Sequence, residues 1–240
     1  MSRRSDRPSI EGVALIEQVI AVVQKDPTAI SGFCGDNPLR RPTPLPEVVL
    51  ATLSFPSGKP LPPSLKRWLA FDSSWLTEFG WFDASGQFTP RRLDEIVSAE
   101  FDDLWGGMYE PVAERTGECF LLPGGSDSRR IYAVTQPDSR GEYPVLVIDT
   151  DDLPYAAVMY PGFDIFMADE AGMEGVACDW GTYEDLWNDR RYAARMREHA
   201  QYLFKGHPSA EITDEAWGGE IARLYHEGLG AQRPVKTIQQ

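Results

Sequence analysis

Apolar positions recur with helical spacing over the first hundred residues, then fall into short β-type runs, then return to helical spacing towards the end. The stretch Leu61 to Trp75, LPPSLKRWLAFDSSW, organises the first part. Pro62 and Pro63 stop whatever precedes them and pre-set a helical first turn, because proline fixes φ and needs no amide partner there. Leu65, Trp68 and Leu69 fall at i, i+3 and i+4 on one apolar stripe, with Lys66 and Arg67 facing away. Asp72-Ser73-Ser74 then favours side-chain to backbone bonds over more helix. The pattern predicts a short helix docked by one side into a core.

Upstream, Ser9 can cap a helix from Ile10 to about Lys25 with Val13, Ile16, Ile20 and Val23 on one face, ended by Asp26-Pro27. Residues 31 to 46 are rich in proline and glycine and read as a loop or linker. A short helix follows over Glu47 to Leu53. Downstream, Trp81-Phe82 and Phe88 flank an Ala-Ser-Gly turn, a hairpin pattern. Thr89-Pro90 opens a predicted helix reaching Leu104, with Leu93, Ile96, Val97 and Phe101 on its apolar face.

The runs Glu118 to Leu122, Arg130 to Gln136, Pro144 to Asp149 and Tyr155 to Tyr160 are aliphatic or aromatic and bounded by turn residues. They are too close together for crossover helices, so they predict an antiparallel meander. Pro161 to Gly172 reads as a short helix with Phe163, Phe166 and Met167 inward. Thr182 and Asp185 start a predicted helix from Tyr183 to about Phe204, broken by Gly206 and Pro208, and Thr213 caps another to about Gly228. The fold class expected is α+β: an antiparallel sheet of four to six strands with helices packed on one side, plus helical N- and C-terminal extensions. Three segments are expected: 1–44, an N-terminal helix and linker; 45–172, the α+β core; and 173–240, a helical extension.

Composition changes this picture in one respect, the charge. The chain has 240 residues, a net charge of -14 and a sequence pI near 4.6. That argues against nucleic-acid binding, which needs a basic face. From Asp138 to Asp189 there are thirteen Asp or Glu and one Arg, so this window alone carries -12. It reads either as a solvated face or as an acidic docking surface for a basic partner.

Cys34, Cys119 and Cys178 have no metal-type spacing and are expected to be reduced thiols, which points to a cytoplasmic protein. No secretory signal pattern or membrane span is predicted. Asp149, Asp151 and Asp152 could converge on a hard cation, but the run does not continue as a calcium loop, and a solvated turn is expected. His199, His207 and His226 lack zinc-helix spacing and are expected at the surface. Gly124-Gly125-Ser126 lacks the lysine and following helix of a phosphate loop, and Cys119 reads as a buried thiol rather than a nucleophile. No nucleophile, base and orienting group occur together, so the expectation is a non-enzyme without cofactor or metal.

The order of elements resembles the SUKH superfamily of bacterial toxin-immunity proteins. Leu61-Pro62 with Leu65, Trp68 and Leu69 is similar to the family's opening Leu-Pro and aromatic helix. Leu121-Leu122-Pro123-Gly124, Tyr132, Pro144-Val145 and the Phe163-x-x-Phe166 helix match the motifs that follow, over roughly residues 45–172. Asp72-Ser73-Ser74 stands where the family has an Asn-Gly turn. The resemblance implies a cytoplasmic immunity protein that occludes a cognate protein toxin, a nuclease or another enzyme acting in the cytoplasm. Asp149, Asp151, Asp152, Asp164, Asp169 and Glu170 are the expected charged contacts, with Tyr155 and Tyr160 as aromatic anchors. The alternatives are an adaptor binding an endogenous protein and, on the Asp149 cluster, a metal-dependent hydrolase. Oligomeric state is not determined by the pattern.

Overall fold

The computed structural model describes residues 11–30, 42–124, 128–150, 154–173 and 183–211. Helix α1 (Val13–Lys25) begins at Gly12, whose φ of +62° suits a residue without Cβ, and ends at Asp26 as the Asp-Pro pair requires. It buries Leu15, Ile16, Val19, Ile20 and Val23, leaving Val13 outside the predicted stripe. The proposed Ser9 cap lies outside the described residues. Helix α2 (Glu47–Thr52) is short and leads to α3 (Pro63–Leu69), which buries Leu65, Trp68 and Leu69 as its spacing dictates. The Asp72 carboxylate accepts from the backbone N–H groups of Thr43, Ser74 and Trp75 at 2.8–3.2 Å and so starts α4 (Ser74–Glu78).

The helix predicted across Pro90 to Leu104 is two helices. α5 (Leu93–Glu100) stops at Phe101, and the Asp102 carboxylate accepts the Trp105 N–H at 3.1 Å to cap a new helix, α6 (Asp103–Thr116). Gly106, Gly107 and Pro111 hide α6 in the sequence. Gly106 is there because α5 crosses on top of it: a Cβ would meet Ser98 Oγ at 1.9 Å and the Asp94 carbonyl at 2.8 Å. Phe82 and Phe88 pair across their turn as the hairpin pattern predicted.

The strands are β1 (Glu118–Leu122), β2 (Ser128–Val134), β3 (Val145–Asp149), β4 (Tyr155–Tyr160) and β5 (Ser209–Glu211), all antiparallel in sequence order. The fold is therefore α+β. Helix α7 (Phe163–Glu170) follows β4, and α8 (Tyr183–Asn188) and α9 (Ala193–Phe204) precede β5. The single helix predicted from Tyr183 to Phe204 is interrupted by Asp189, which accepts from the N–H groups of Arg191, Tyr192 and Ala193 and restarts the chain as α9. The C-terminal segment also supplies β5, too short and polar a run to be legible as a strand. The helix predicted from Thr213 lies outside the described residues.

Burial along β3 and β4 does not alternate: Val145 to Ile148 and Ala156 to Tyr160 are all buried. A sheet with this pattern is covered on both faces. On one face, Phe120 and Tyr132 meet Trp81 and Phe55, and Tyr132 and Tyr160 meet Phe163 and Phe166 of α7. This is the layer of helices expected, with α1 and α3 packed against α7. Cys119, Ile131 and Ile148 point the other way. There Tyr109 of α6 donates its hydroxyl to the Asp149 and Tyr155 carbonyls at 2.6 and 2.9 Å, and α9 lies along β4. Side chains of α1 and α9 belong to the same apolar cluster as the sheet.

Candidate functional site

The most chemically dense part of the described chain is a buried ionic cluster under the N-terminus of α7. It begins with a turn. Asp138 Oδ1 accepts from the N–H groups of Arg140 and Glu142 at 2.8 and 3.0 Å, and Gly141 closes the loop at φ +78°. Asp138 Oδ2 is left pointing inward, where Arg195 Nε donates to it at 2.5 Å. Arg195 and His199 are at i and i+4 on α9, so both face this loop. They are 4% and 1% exposed.

Arg195 serves four elements. Besides Asp138 it reaches Asp164 of α7 at 3.5 Å, donates to the Pro161 carbonyl at 3.2 Å, and lies 3.7 Å from Glu11. Asp164 also accepts the Gly12 N–H at 2.7 Å, so the chain entering α1 is tied to α7. His199 Nε2 sits 3.0 Å from the Pro161 carbonyl and 3.7 Å from Asp138. Gly162 is required: a Cβ there would lie 2.5 Å from Asp164 Oδ1 and 2.6 Å from an Arg195 terminal nitrogen. Glu142, 1% exposed, accepts from Ser64 Oγ at 2.6 Å and from the Ser64 N–H at 3.2 Å at the start of α3.

The electrostatics differ sharply between these carboxyls. Burial alone would raise Asp138, but the neighbouring His199 side chain and the hydrogen bond and charge of Arg195 hold it down at about 2. Burial and the Asp164 charge push Glu142 up to about 8, against the opposing pull of Ser64 and Arg195. Arg195 is held in its charged form: burial opposes this, and Asp164 and Asp138 outweigh it. The Tyr132 hydroxyl, raised by burial and then by Glu142, has no hydrogen-bond partner among the described residues.

The residues expected from sequence to meet a partner separate into three groups. Asp164 is fully buried against Arg195, and Tyr160 is buried with its hydroxyl donating to Asp169 at 2.6 Å. Neither offers a surface in this fold. The reason is the same for both: they begin and flank a helix whose whole first turn is inside. Asp149 and Tyr155 face each other across β3 and β4, and both are half-buried. Asp169 and Glu170 end α7, also half-buried. Glu170 lies beneath Gly124, close enough that a Cβ there would come within 2.9 Å of its Oε1. Burial and the Asp169 charge raise Glu170 to about 7, and Arg130 opposes them. Arg130 in turn donates to Ser128, the residue opposite Asp149, so these carboxylates share one end of the sheet. Asp151 and Asp152 lie outside the described residues.

His199 corrects the expectation of surface histidines; His207 is exposed as expected, and His226 is outside the described residues. Asp138, Glu142 and Arg195 are not singled out as site residues by sequence, and His199 is expected there only at the surface. Their signal was the i, i+4 pairing of Arg195 with His199 beside the apolar Met196 and Ala200. Cys119 is a buried thiol, pushed up to about 12 by burial, as expected of an inert one. Among the described residues no group of three or more His, Cys, Asp or Glu could hold a metal ion, and no helix is long and apolar enough to cross a membrane.

No protein-family model matches the chain, and neither does any curated protein. Among solved structures, the crystal structure of an uncharacterized protein from Salmonella enterica subsp. enterica serovar typhimurium str. 14028s is similar. It superposes with a TM-score of 0.52 at 17% identity, covering 81% of this chain and 94% of that one. At that identity the likeness concerns the fold.

Proposed function

We propose that this chain is an immunity-type protein that binds a cognate protein toxin in the cytoplasm and neutralises it by occlusion, in the manner of the SUKH superfamily that its motifs resemble. One observation carries the reading: the charge of -12 between Asp138 and Asp189. Asp138, Glu142 and Asp164 are turned inward, which removes them from any contact surface. The surface reading therefore rests on Asp149, Asp169 and Glu170, and on Asp151 and Asp152, which follow Asp149 in the sequence. Tyr155 is the aromatic candidate, and Tyr160 acts through its bond to Asp169. An acidic face of this kind suits a basic toxin surface, such as that of an enzyme acting on nucleic acid, because complementary potential raises the association rate.

Co-purification with the product of an adjacent gene, followed by growth rescue when that product is expressed, tests the proposal. A one-to-one complex that restores growth is the expected outcome, with association slowed by salt and by the double substitution Asp151→Lys, Asp152→Lys. A folded protein that neither binds nor rescues would turn the reading towards an adaptor for an endogenous protein. Rescue unaffected by the charge reversal would leave immunity standing and remove its electrostatic basis.

A further inference from the structure

Two arginines are buried among the described residues, and their surroundings differ. Arg195 is met by the carboxylates of Asp138 and Asp164 and by the Pro161 carbonyl. Arg130, 9% exposed, makes a single hydrogen bond, from Nη1 to Ser128 Oγ at 2.7 Å, and no ion pair among the described residues. A buried cation without a counter-ion is costly, and most of this guanidinium's donors are unused. They are not sealed in: the only enclosed side-chain polar atoms without a partner among the described residues are Trp68 Nε1 and Tyr132 OH.

Arg130 lies two residues before Tyr132, whose ring meets Phe163 of α7, so strand alternation aims it at the α7 side of the sheet. Opposite it, Leu122 ends β1, and Gly124 two residues later sits over Glu170, the last residue of α7. Glu170 feels the Arg130 charge, yet it neither pairs with it nor hydrogen-bonds elsewhere among the described residues. A guanidinium with spare donors and a carboxyl without a partner thus stand near each other, out of contact, at one end of the sheet.

We propose that Arg130, Ser128 and Glu170 form a binding site for a small monocarboxylate. The planar Arg130 fork donates to the two oxygens of the ligand, a geometry that a carboxylate matches. Ser128 accepts from Nη1 and keeps its own hydroxyl hydrogen to donate. Glu170, which burial and the Asp169 charge keep protonated to about 7, adds an O–H donor below that pH. Every group offered is a donor, so the ligand is an acceptor, and one guanidinium compensates one negative charge. Asp149, opposite Ser128, and Asp169, beside Glu170, oppose a second charge. The site does not depend on the toxin-binding reading, although the two share Glu170.

Acetate titrated into the full chain at pH 6, with ionic strength held constant by chloride, tests this through the Arg130 Nε–H resonance. A saturable shift is expected, one acetate per chain, half complete at about 1–10 mM, within what four heavy atoms can supply. Sulfate should bind more weakly than acetate. Arg130→Met should weaken acetate binding by at least about tenfold, while Glu170→Gln, which keeps an N–H donor, stays within about threefold of the parent. No saturation by about 100 mM, tighter binding of sulfate, or an unchanged acetate response in Arg130→Met overturns the proposal. Should that variant fail to fold, the parent decides through the Glu170 carboxyl carbon. Its resonance moving with the same half-saturation as the Arg130 Nε–H supports the site; an unmoved Glu170 resonance overturns it.

Discussion

Arg195 Nε lies 2.5 Å from Asp138 Oδ2 across 57 residues of chain, with both side chains out of water. This contact joins the turn between β2 and β3 to α9, and it fixes where that helix meets the sheet. The pair is not favourable merely because it is buried. Desolvating two charges costs several kcal/mol each, and the geometry must return it. Here Asp138 accepts two backbone N–H groups besides Arg195, and Arg195 has carbonyl and carboxylate partners on every side. The arrangement is satisfied as a whole and vulnerable to the loss of any one member.

Arg195→Met is therefore expected to destabilise the fold by about 3–5 kcal/mol, since it leaves Asp138 and Asp164 buried without their cation. Urea unfolding monitored by tryptophan fluorescence measures this. A loss below about 1 kcal/mol, the scale of an exposed pair, would mean that water reaches the cluster.

Glu170 predicts a pH dependence of the opposite kind to the familiar acid one. Its carboxyl keeps its proton to about 7 in the folded chain, against an ordinary value of 4.5. The folded state thus binds the extra proton between these limits, and the stabilisation is complete below pH 4.5 and lost as pH rises through 7. Replacing Glu170 by Gln should reduce the fall in melting temperature between pH 5 and 7, leaving the remainder due to Glu142. Equal slopes in the two proteins would place the Glu170 carboxyl in open solvent.

At Gly106 the close crossing of α5 and α6 leaves no room for a side chain, and the nearest obstacle that cannot rotate away is the Asp94 carbonyl at 2.8 Å. Gly106→Ala should cost about 1–3 kcal/mol through overpacking, despite alanine's better helix propensity. Thermal melting resolves the sign: a stabilised variant would show that the two helices separate without strain.

Tyr109 is the lock on the β3–β4 hairpin from the second face. Removing only its hydroxyl, in Tyr109→Phe, leaves the Asp149 and Tyr155 carbonyls short of a donor, at a cost of about 1 kcal/mol. The substitution should also raise exchange at the end of β4 more than at β1. A uniform increase would instead indicate a global loss.

The strands and most helix positions were legible because they depend on neighbours in the chain. β1 and β4 coincide with their predicted bounds, and Asp72-Ser73-Ser74 makes the local bonds its composition favours. Helix α6 was illegible because Gly106, tolerated only for the sake of α5, looks like a break. The divided helices were missed because Asp102 and Asp189 read as polar positions on a face until their backbone partners are seen.

The candidate site divides the same way. That the window from Asp138 to Asp189 is acidic is a property of composition, and it stands whatever the fold. Which of those carboxylates face solvent is not, because side-chain direction depends on elements far away in the chain. Asp164 is inside only because α7 lies over the sheet with Arg195 and Gly12 closing its first turn. His199 is inside only because α9 returns to β4. Sequence by itself determined the alternation of helix and strand, the antiparallel order of the first four strands and the excess of negative charge, all set by local periodicity and counting. Tertiary structure alone decided that helices cover both faces of the sheet and that a late segment adds its fifth strand. It also gathered three of the acidic residues around one buried arginine, since long-range packing chooses which polar groups give up water.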